Sequence, residues 1–223
     1  MEFLPRIGVL LIAYCIGSIP WGYILVKLIK GEDVRNVASG RTGGTNTMRA
    51  AGFPLGLATS LLDILKTASV VWIAQFFFPD SLWFHVLAPL IALVGQKYSI
   101  YLIRRDQNGK ITFGGGAGGT PAVGGIIGFW WPSIFILVPA GYIIVMIIGY
   151  ASLATMSLPL IGALILLIRY LKFGTPWQYI LFGLLAEIFI VWALRPNIKR
   201  LINGTERLVG IRAKKANKID KQN

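Results

Sequence analysis

Ala38-Ser39-Gly40-Arg41-Thr42-Gly43-Gly44-Thr45-Asn46-Thr47-Met48-Arg49 is a polar, glycine-rich island between two long apolar runs. The run before it covers about residues 4–29, and the run after it about residues 54–78. Each is long enough to cross a hydrocarbon core of about 30 Å, which takes roughly 20 apolar residues. The island is therefore a loop on an aqueous face, and its composition suits an anion. Its glycines let successive backbone N–H groups converge into a nest. Thr45 or Asn46 can cap a short helix whose N-terminus favours a phosphate. Gly52 and Pro54 end that helix, and Arg49 shares a helical face with Thr45. A flexible loop with ordinary turn chemistry accounts for the same local pattern.

Composition fixes the class of molecule around this loop. Of the residues, 55% are hydrophobic and 14% charged, against about 25% charged in a soluble domain, and the mean hydropathy is +0.67. These values identify an all-α polytopic membrane protein, and the length of 223 residues suits one domain. The net charge of +13 is gathered in loops and tail, as membrane topology requires, so no nucleic-acid partner is expected. A single cysteine, Cys15, allows no disulfide or cysteine metal site within the chain. The N-terminus lacks the basic start and small-residue cleavage pattern of a signal peptide, so the first apolar run is expected to stay in the mature protein.

The remaining apolar runs cover about residues 82–103, two segments within 120–150 divided near Pro139-Ala140-Gly141, then 153–171 and 177–194. The sum is about seven transmembrane helices. Cations cluster in the loops at 30–53 and 104–120 and after Arg195. The positive-inside rule puts all three in the cytoplasm, with the N-terminus outside and the C-terminus inside. Arg169 and Lys172 are exceptions on the outer side. The chain divides into a membrane domain at 1–206 and a basic cytoplasmic tail at 207–223.

Several features interrupt the apolar background. Gly17-Ser18-Ile19-Pro20-Trp21-Gly22 breaks the first segment, as a packing kink or as backbone facing a cavity. Asp63 and Lys66 lie three apart in the second segment, a structural ion pair or a catalytic one. Gly124 and Gly128 form a face for close helix packing. Phe113-Gly114-Gly115-Gly116-Ala117-Gly118-Gly119-Thr120 is a second candidate nest, or a glycine linker entering a packed helix. The lone histidine, His85, is expected at the outer interface, away from the loops. Glu187 is the one acid in the last segment.

Residues 17–23, the Ser39–Gly40, Gly43, Thr45, Asn46 and Arg49 pattern, Leu62-Asp63-Ile64-Leu65-Lys66, Tyr150-Ala151-Ser152-Leu153, and Asn197 through Gly204-Thr205-Glu206 occur in order along the chain. Together they resemble the acyl-phosphate-dependent glycerol-3-phosphate acyltransferases of bacterial membranes, the PlsY type. The resemblance implies a multi-pass enzyme of the bacterial inner membrane. It would move a fatty acyl group from acyl phosphate to the 1-hydroxyl of sn-glycerol 3-phosphate, giving lysophosphatidic acid and phosphate. No metal and no cofactor are implied. The partners would be the two substrates, the bilayer and the enzyme that makes acyl phosphate. By resemblance Ser39, Arg49 and Asn197 are catalytic. Gly40, Arg41, Gly43, Thr45, Asn46, Gly115, Gly116, Gly118, Lys199 and Arg200 hold substrate.

The chain also departs from that pattern. Gln96 and Leu194 stand where the family carries histidine, Ala117 where it carries lysine, and Arg41 where it usually carries asparagine. Residues 106–110 are an insertion. Acyl phosphate is already activated, so the protein must supply orientation and charge stabilisation. A base for the hydroxyl would be Asp63, Glu206 or a substrate phosphate, whose pKa of about 6 suits the task. Arg41, with Lys110 or Arg104, would replace the cation absent at Ala117. Two other functions fit the same motifs: a catalytically silent relative that binds acyl phosphate or lysophospholipid, and a transporter of a small organic phosphate.

Overall fold

The structure is a computed structural model that describes residues 3–105 and 107–213. Asp106 of the insertion and the lysine-rich end of the tail, residues 214–223, lie outside the described residues. The first apolar run is α1 (Phe3–Ser18) and α2 (Trp21–Lys30), broken at Ile19-Pro20. Proline removes a backbone donor and disrupts the ladder, and the carbonyls so released find partners. Ile19 O accepts from Lys66 Nζ at 2.8 Å, and Ser18 O from Ser99 Oγ at 2.6 Å. The short α3 (Gly44–Ala51) lies in the first loop, and α4 (Phe53–Phe77) follows it directly.

The third apolar run does not continue as helix to residue 103. It is α5 (Leu82–Lys97), followed by strand β1 (Ser99–Arg105) and its antiparallel partner β2 (Ile111–Gly114). The sequence Ser99-Ile100-Tyr101-Leu102-Ile103 is rich in the β-branched and aromatic residues that favour strands. Asn108-Gly109 supplies the turn, with Gly109 at φ 74°. The second polar loop is thus partly a hairpin, and the described residues are helical with one two-stranded ribbon.

Next comes α6 (Gly119–Phe129), then a 3-10 turn (Trp131–Ser133), α7 (Ile134–Ile143) and a π turn (Ile144–Ile148). The division expected near Pro139 falls instead at residues 130–133. Trp130 is extended and Pro132 opens the new turn, whereas Pro139 is accommodated inside α7. The last elements are α8 (Ala151–Phe173), α9 (Gln178–Ala193) and α10 (Arg195–Ile202).

Among the described residues, four helical segments are long and apolar enough to cross a membrane, or five if the bent α9–α10 pair is one span. The apolar helices α5 and α6 are shorter than that. Both serve as internal walls. One face of α5 (Phe84, Ala88, Ala92) packs into a core with Val9, Ala13, Val70 and Ala74. The other face (Val86, Leu93) joins a larger core with α6, α8 and α9 around Ile126 and Phe182. A helix buried on both sides is apolar all round. Arg169, anomalous in the charge count, stacks on Trp130, its guanidinium 4.5 Å from the ring centroid. His85 is buried rather than interfacial. Its Nε2 donates to Phe78 O at 2.8 Å, and its Nδ1 lies 3.0 Å from Tyr179 Oη.

Helix α6 lies against α4 through its glycines. A Cβ on Gly124 would sit 2.2 Å from Ile64 O, and one on Gly128 would sit 2.6 Å from Val71 Cβ. Gly124→Val should push the two helices apart and cost about 1–3 kcal/mol or more. A lowered thermal midpoint in detergent is the expected result; an unchanged midpoint would show that the contact is not tight.

Candidate active site

The N-termini of α3, α6 and α8 open onto one cavity of about 110 Å³. Gly44 and Thr45 line it from α3, Gly119 and Thr120 from α6, and Ala151 and Ser152 from α8. None of the three helices has a side-chain N-cap. The first-turn N–H groups of a helix have no intrahelical acceptor, and they carry the positive end of its dipole. Three such ends facing one space favour negative charge there.

Side chains add to that field. Arg41 and Arg49 both line the cavity, and so does Arg207. Arg41 donates to Ala193 O at 3.3 Å, which leaves most of its guanidinium donors unused. Burial pulls the pKa of Arg41 down from the usual arginine value; Arg200 and Arg207 push the same way and Glu206 opposes them. Arg49 is lowered by burial and then by Arg207, again with Glu206 opposing. The cations strain against one another because the single carboxylate among them is already engaged. Glu206 Oε1 accepts from Asn197 Nδ2 at 2.9 Å, and Oε2 from Arg200 Nε at 2.9 Å. An anion in the cavity relieves that repulsion.

The expected site residues divide into two groups. Ser39, Arg41, Gly43, Thr45, Asn46, Arg49, Gly118 and Asn197 share the cavity wall. Gly40, Gly115, Gly116, Lys199 and Arg200 are not on it. Gly115 and Gly116 instead tie the loops together: Thr42 N donates to Gly115 O at 3.3 Å, and Gly116 N to Gln96 O at 2.8 Å. Lys199 is exposed on α10. The proposed replacement cations Arg104 and Lys110 lie on the exposed hairpin, not at the cavity. Residues not singled out beforehand also line it, among them Ser60, Thr155 and Arg207. Asn197 Oδ1 and Ser152 Oγ are buried there without a hydrogen-bond partner.

Asn46 does not cap α3; the cap position is Gly43. Its side chain, 2% exposed, holds the loop in shape. Nδ2 donates to Val34 O, Val37 O and Arg41 O at 2.8–3.0 Å, and Oδ1 accepts from Ser39 N at 3.1 Å. Its two N–H donors, shared among three carbonyls, are fully engaged within the protein. Lys66 is equally committed. Its ammonium forms an ion pair with Asp63 Oδ1 at 2.8 Å and donates to Ile19 O at 2.8 Å and to Gln96 Oε1. The pair is off the cavity wall, so the structural alternative for Asp63 and Lys66 prevails. Gln96 connects it to the wall, with Nε2 donating to Asp63 Oδ2 at 3.3 Å. Two further departures from the family pattern, Ala117 and Leu194, also face the cavity.

An apolar groove of about 250 Å³ adjoins the polar cavity. Leu57 and Leu61 of α4, Val138 and Tyr142 of α7, and Leu158 of α8 form its sides. Gly44, Thr45, Ser60, Thr120 and Thr155 line both spaces. One end therefore favours anionic groups and the other a hydrocarbon chain.

The family described as glycerol-3-phosphate acyltransferase matches residues 7–204. The glycerol-3-phosphate acyltransferase of Chlorobium phaeobacteroides is 32% identical, over 92% of this chain and 97% of that protein. That of Brucella anthropi is also 32% identical, over 93% and 94%. The crystal structure of PlsY (YgiH), an integral membrane glycerol 3-phosphate acyltransferase, is similar in its glycerol 3-phosphate form with a TM-score of 0.78 at 28% identity, covering 92% of this chain and 96% of that one. The lysophosphatidic acid form gives 0.76 at 25% identity, with the same coverage. With its apolar helices, this chain is a multi-pass membrane protein.

Asn46→Ala removes one side chain that serves three carbonyls and one amide. It should destabilise the protein by roughly 2–4 kcal/mol. It should also speed hydrogen exchange at the amides of residues 34–41, measured by mass spectrometry. Exchange at the wild-type rate would contradict the clamp.

Proposed function

The chain belongs to the glycerol-3-phosphate acyltransferase family, and from that membership we propose that it transfers a fatty acyl group from acyl phosphate to the 1-hydroxyl of sn-glycerol 3-phosphate. The products are lysophosphatidic acid and phosphate. The observation that carries this reading is a cavity with three uncapped helix N-termini and the guanidinium groups of Arg41, Arg49 and Arg207, continuous with an apolar groove. The acyl chain of the donor lies in the groove, and its phosphate and the phosphate of glycerol 3-phosphate meet in the cavity.

The hydroxyl oxygen attacks the carbonyl carbon of the mixed anhydride. A new C–O ester bond forms, and the bond from that carbon to the phosphate oxygen breaks with its electron pair. Helix-end amides and arginines stabilise the negative charge on the tetrahedral oxygen and the leaving phosphate. The proton passes to a phosphate oxygen of the substrates. Asp63 is locked in its ion pair, and both oxygens of Glu206 already accept hydrogen bonds, which supports this substrate-assisted route. Ser39, Arg49 and Asn197 contact the reacting groups. Arg41, Gly43, Thr45 and Gly118 hold phosphate, while Asn46, Gly40, Gly115, Gly116 and Arg200 shape the loops and the Glu206 clamp. Lys199 adds charge at the aqueous face.

In the same reading the protein crosses the bacterial inner membrane seven times, with the N-terminus outside. The cation-rich loops and tail support a cytoplasmic active site. An acyl-phosphate-forming enzyme supplies the donor. A second reading, a silent relative that only binds these ligands, draws support from Gln96, Ala117 and Leu194 on the cavity wall.

Purified protein given palmitoyl phosphate and labelled glycerol 3-phosphate should form labelled lysophosphatidic acid, and Arg41→Ala should raise the KM for glycerol 3-phosphate about tenfold or more. An unchanged KM would remove Arg41 from the site. No product from wild type, with product from the Ala117→Lys, Leu194→His double variant, would favour the silent relative.

A further inference from the structure

The family match ends at residue 204, yet the chain beyond it returns to the site. Thr205 N donates to Arg200 O at 2.8 Å, and Glu206 is clamped by Asn197 and Arg200. Three residues later Val209 is buried, and its N–H donates to Gly149 O at 2.9 Å. Arg212 then donates from Nη1 to Ile148 O at 3.0 Å and lies over the Tyr150 ring. Residues 205–212 thus form a strap across the junction between the π turn and α8, which carries Ala151 and Ser152 of the cavity wall.

Arg207 sits between the two anchors. Its side chain is exposed yet lines the cavity, so it stands at the solvent mouth. It makes no hydrogen bond or ion pair among the described residues, although it is near enough to Arg41 and Arg49 to oppose their charge. A like-charged guanidinium on a backbone anchored at both sides, with no counter-ion among the described residues, is arranged for an anion that comes and goes. The membrane-borne donor has the apolar groove on the other side; the water-soluble acceptor enters past Arg207.

We propose that Arg207 binds the phosphate of the soluble polyol-phosphate substrate at the cavity mouth, and that the strap, through Val209 and Arg212, sets its position. The assignment rests on the acyltransferase reading for the identity of that substrate. Arg207 acts on capture of the acceptor, and Arg212 is a positioning residue that acts through it.

Calorimetric titration of the purified full-length protein with glycerol 3-phosphate, in parallel with steady-state kinetics, tests this. Arg207→Ala should weaken binding and raise the KM for glycerol 3-phosphate about tenfold, leaving the KM for palmitoyl phosphate and the thermal midpoint unchanged. Arg207→Lys should recover part of the loss, and Arg212→Ala should shift the same KM in the same direction. Binding by Arg207→Ala at wild-type strength, or a wild type that does not bind glycerol 3-phosphate, overturns the proposal. A wild type that binds glycerol 3-phosphate but forms no product defeats the acyltransferase reading, while the titration still decides Arg207.

Discussion

Helix ends buried without caps must find partners, and this fold brings three of them together. The first-turn amides of α3, α6 and α8 cannot be satisfied within their own helices, and no side chain caps them. Their common space is lined by arginines whose one carboxylate neighbour is already bound elsewhere. Such a cavity is at its most favourable with negative charge inside it. Much of the surrounding structure can be understood as what holds the three ends in register.

That support comes from a few saturated polar groups in an apolar body. Asn46 ties residues 34–41 to the start of α3, and the Thr42–Gly115 bond joins the first loop to the second. Lys66 meets the carbonyl freed at the α1–α2 break, the Asp63 carboxylate and Gln96. It thereby links the broken first segment to α4 and α5. The glycine face of α6 lets that helix approach α4 closely enough for its N-terminus to share a cavity with α3. Where such groups have no spare hydrogen-bonding capacity they position the site rather than react in it.

Long apolar runs are legible because burial in lipid demands many consecutive residues, and the expected segments at 4–29, 54–78, 153–171 and 177–194 match helices closely. The break at Ile19-Pro20 and the Gly124/Gly128 face were equally readable, since proline and small residues have direct backbone consequences. The family resemblance rested on dispersed motifs in order, and family membership bears it out. The hairpin was obscured because its apolar strand residues extend the hydropathy of α5. The dividing point at 130–133 was missed because Pro139 is the more conspicuous breaker in isolation, yet α7 absorbs it. The role of Asn46 depends on carbonyls five to twelve residues away, which no local pattern reveals. Arg207 resembles any other charge in a basic tail; the Glu206 clamp and the return of the chain to Gly149 together bring it to the cavity.

The central claim is that one cationic cavity accommodates both phosphates at once, which direct transfer between them requires. Equilibrium titration of glycerol 3-phosphate into protein saturated with a non-hydrolysable palmitoyl phosphonate measures this most directly. The account predicts that both ligands bind together, one of each per chain. Mutually exclusive binding, with the phosphonate displacing glycerol 3-phosphate, would contradict it.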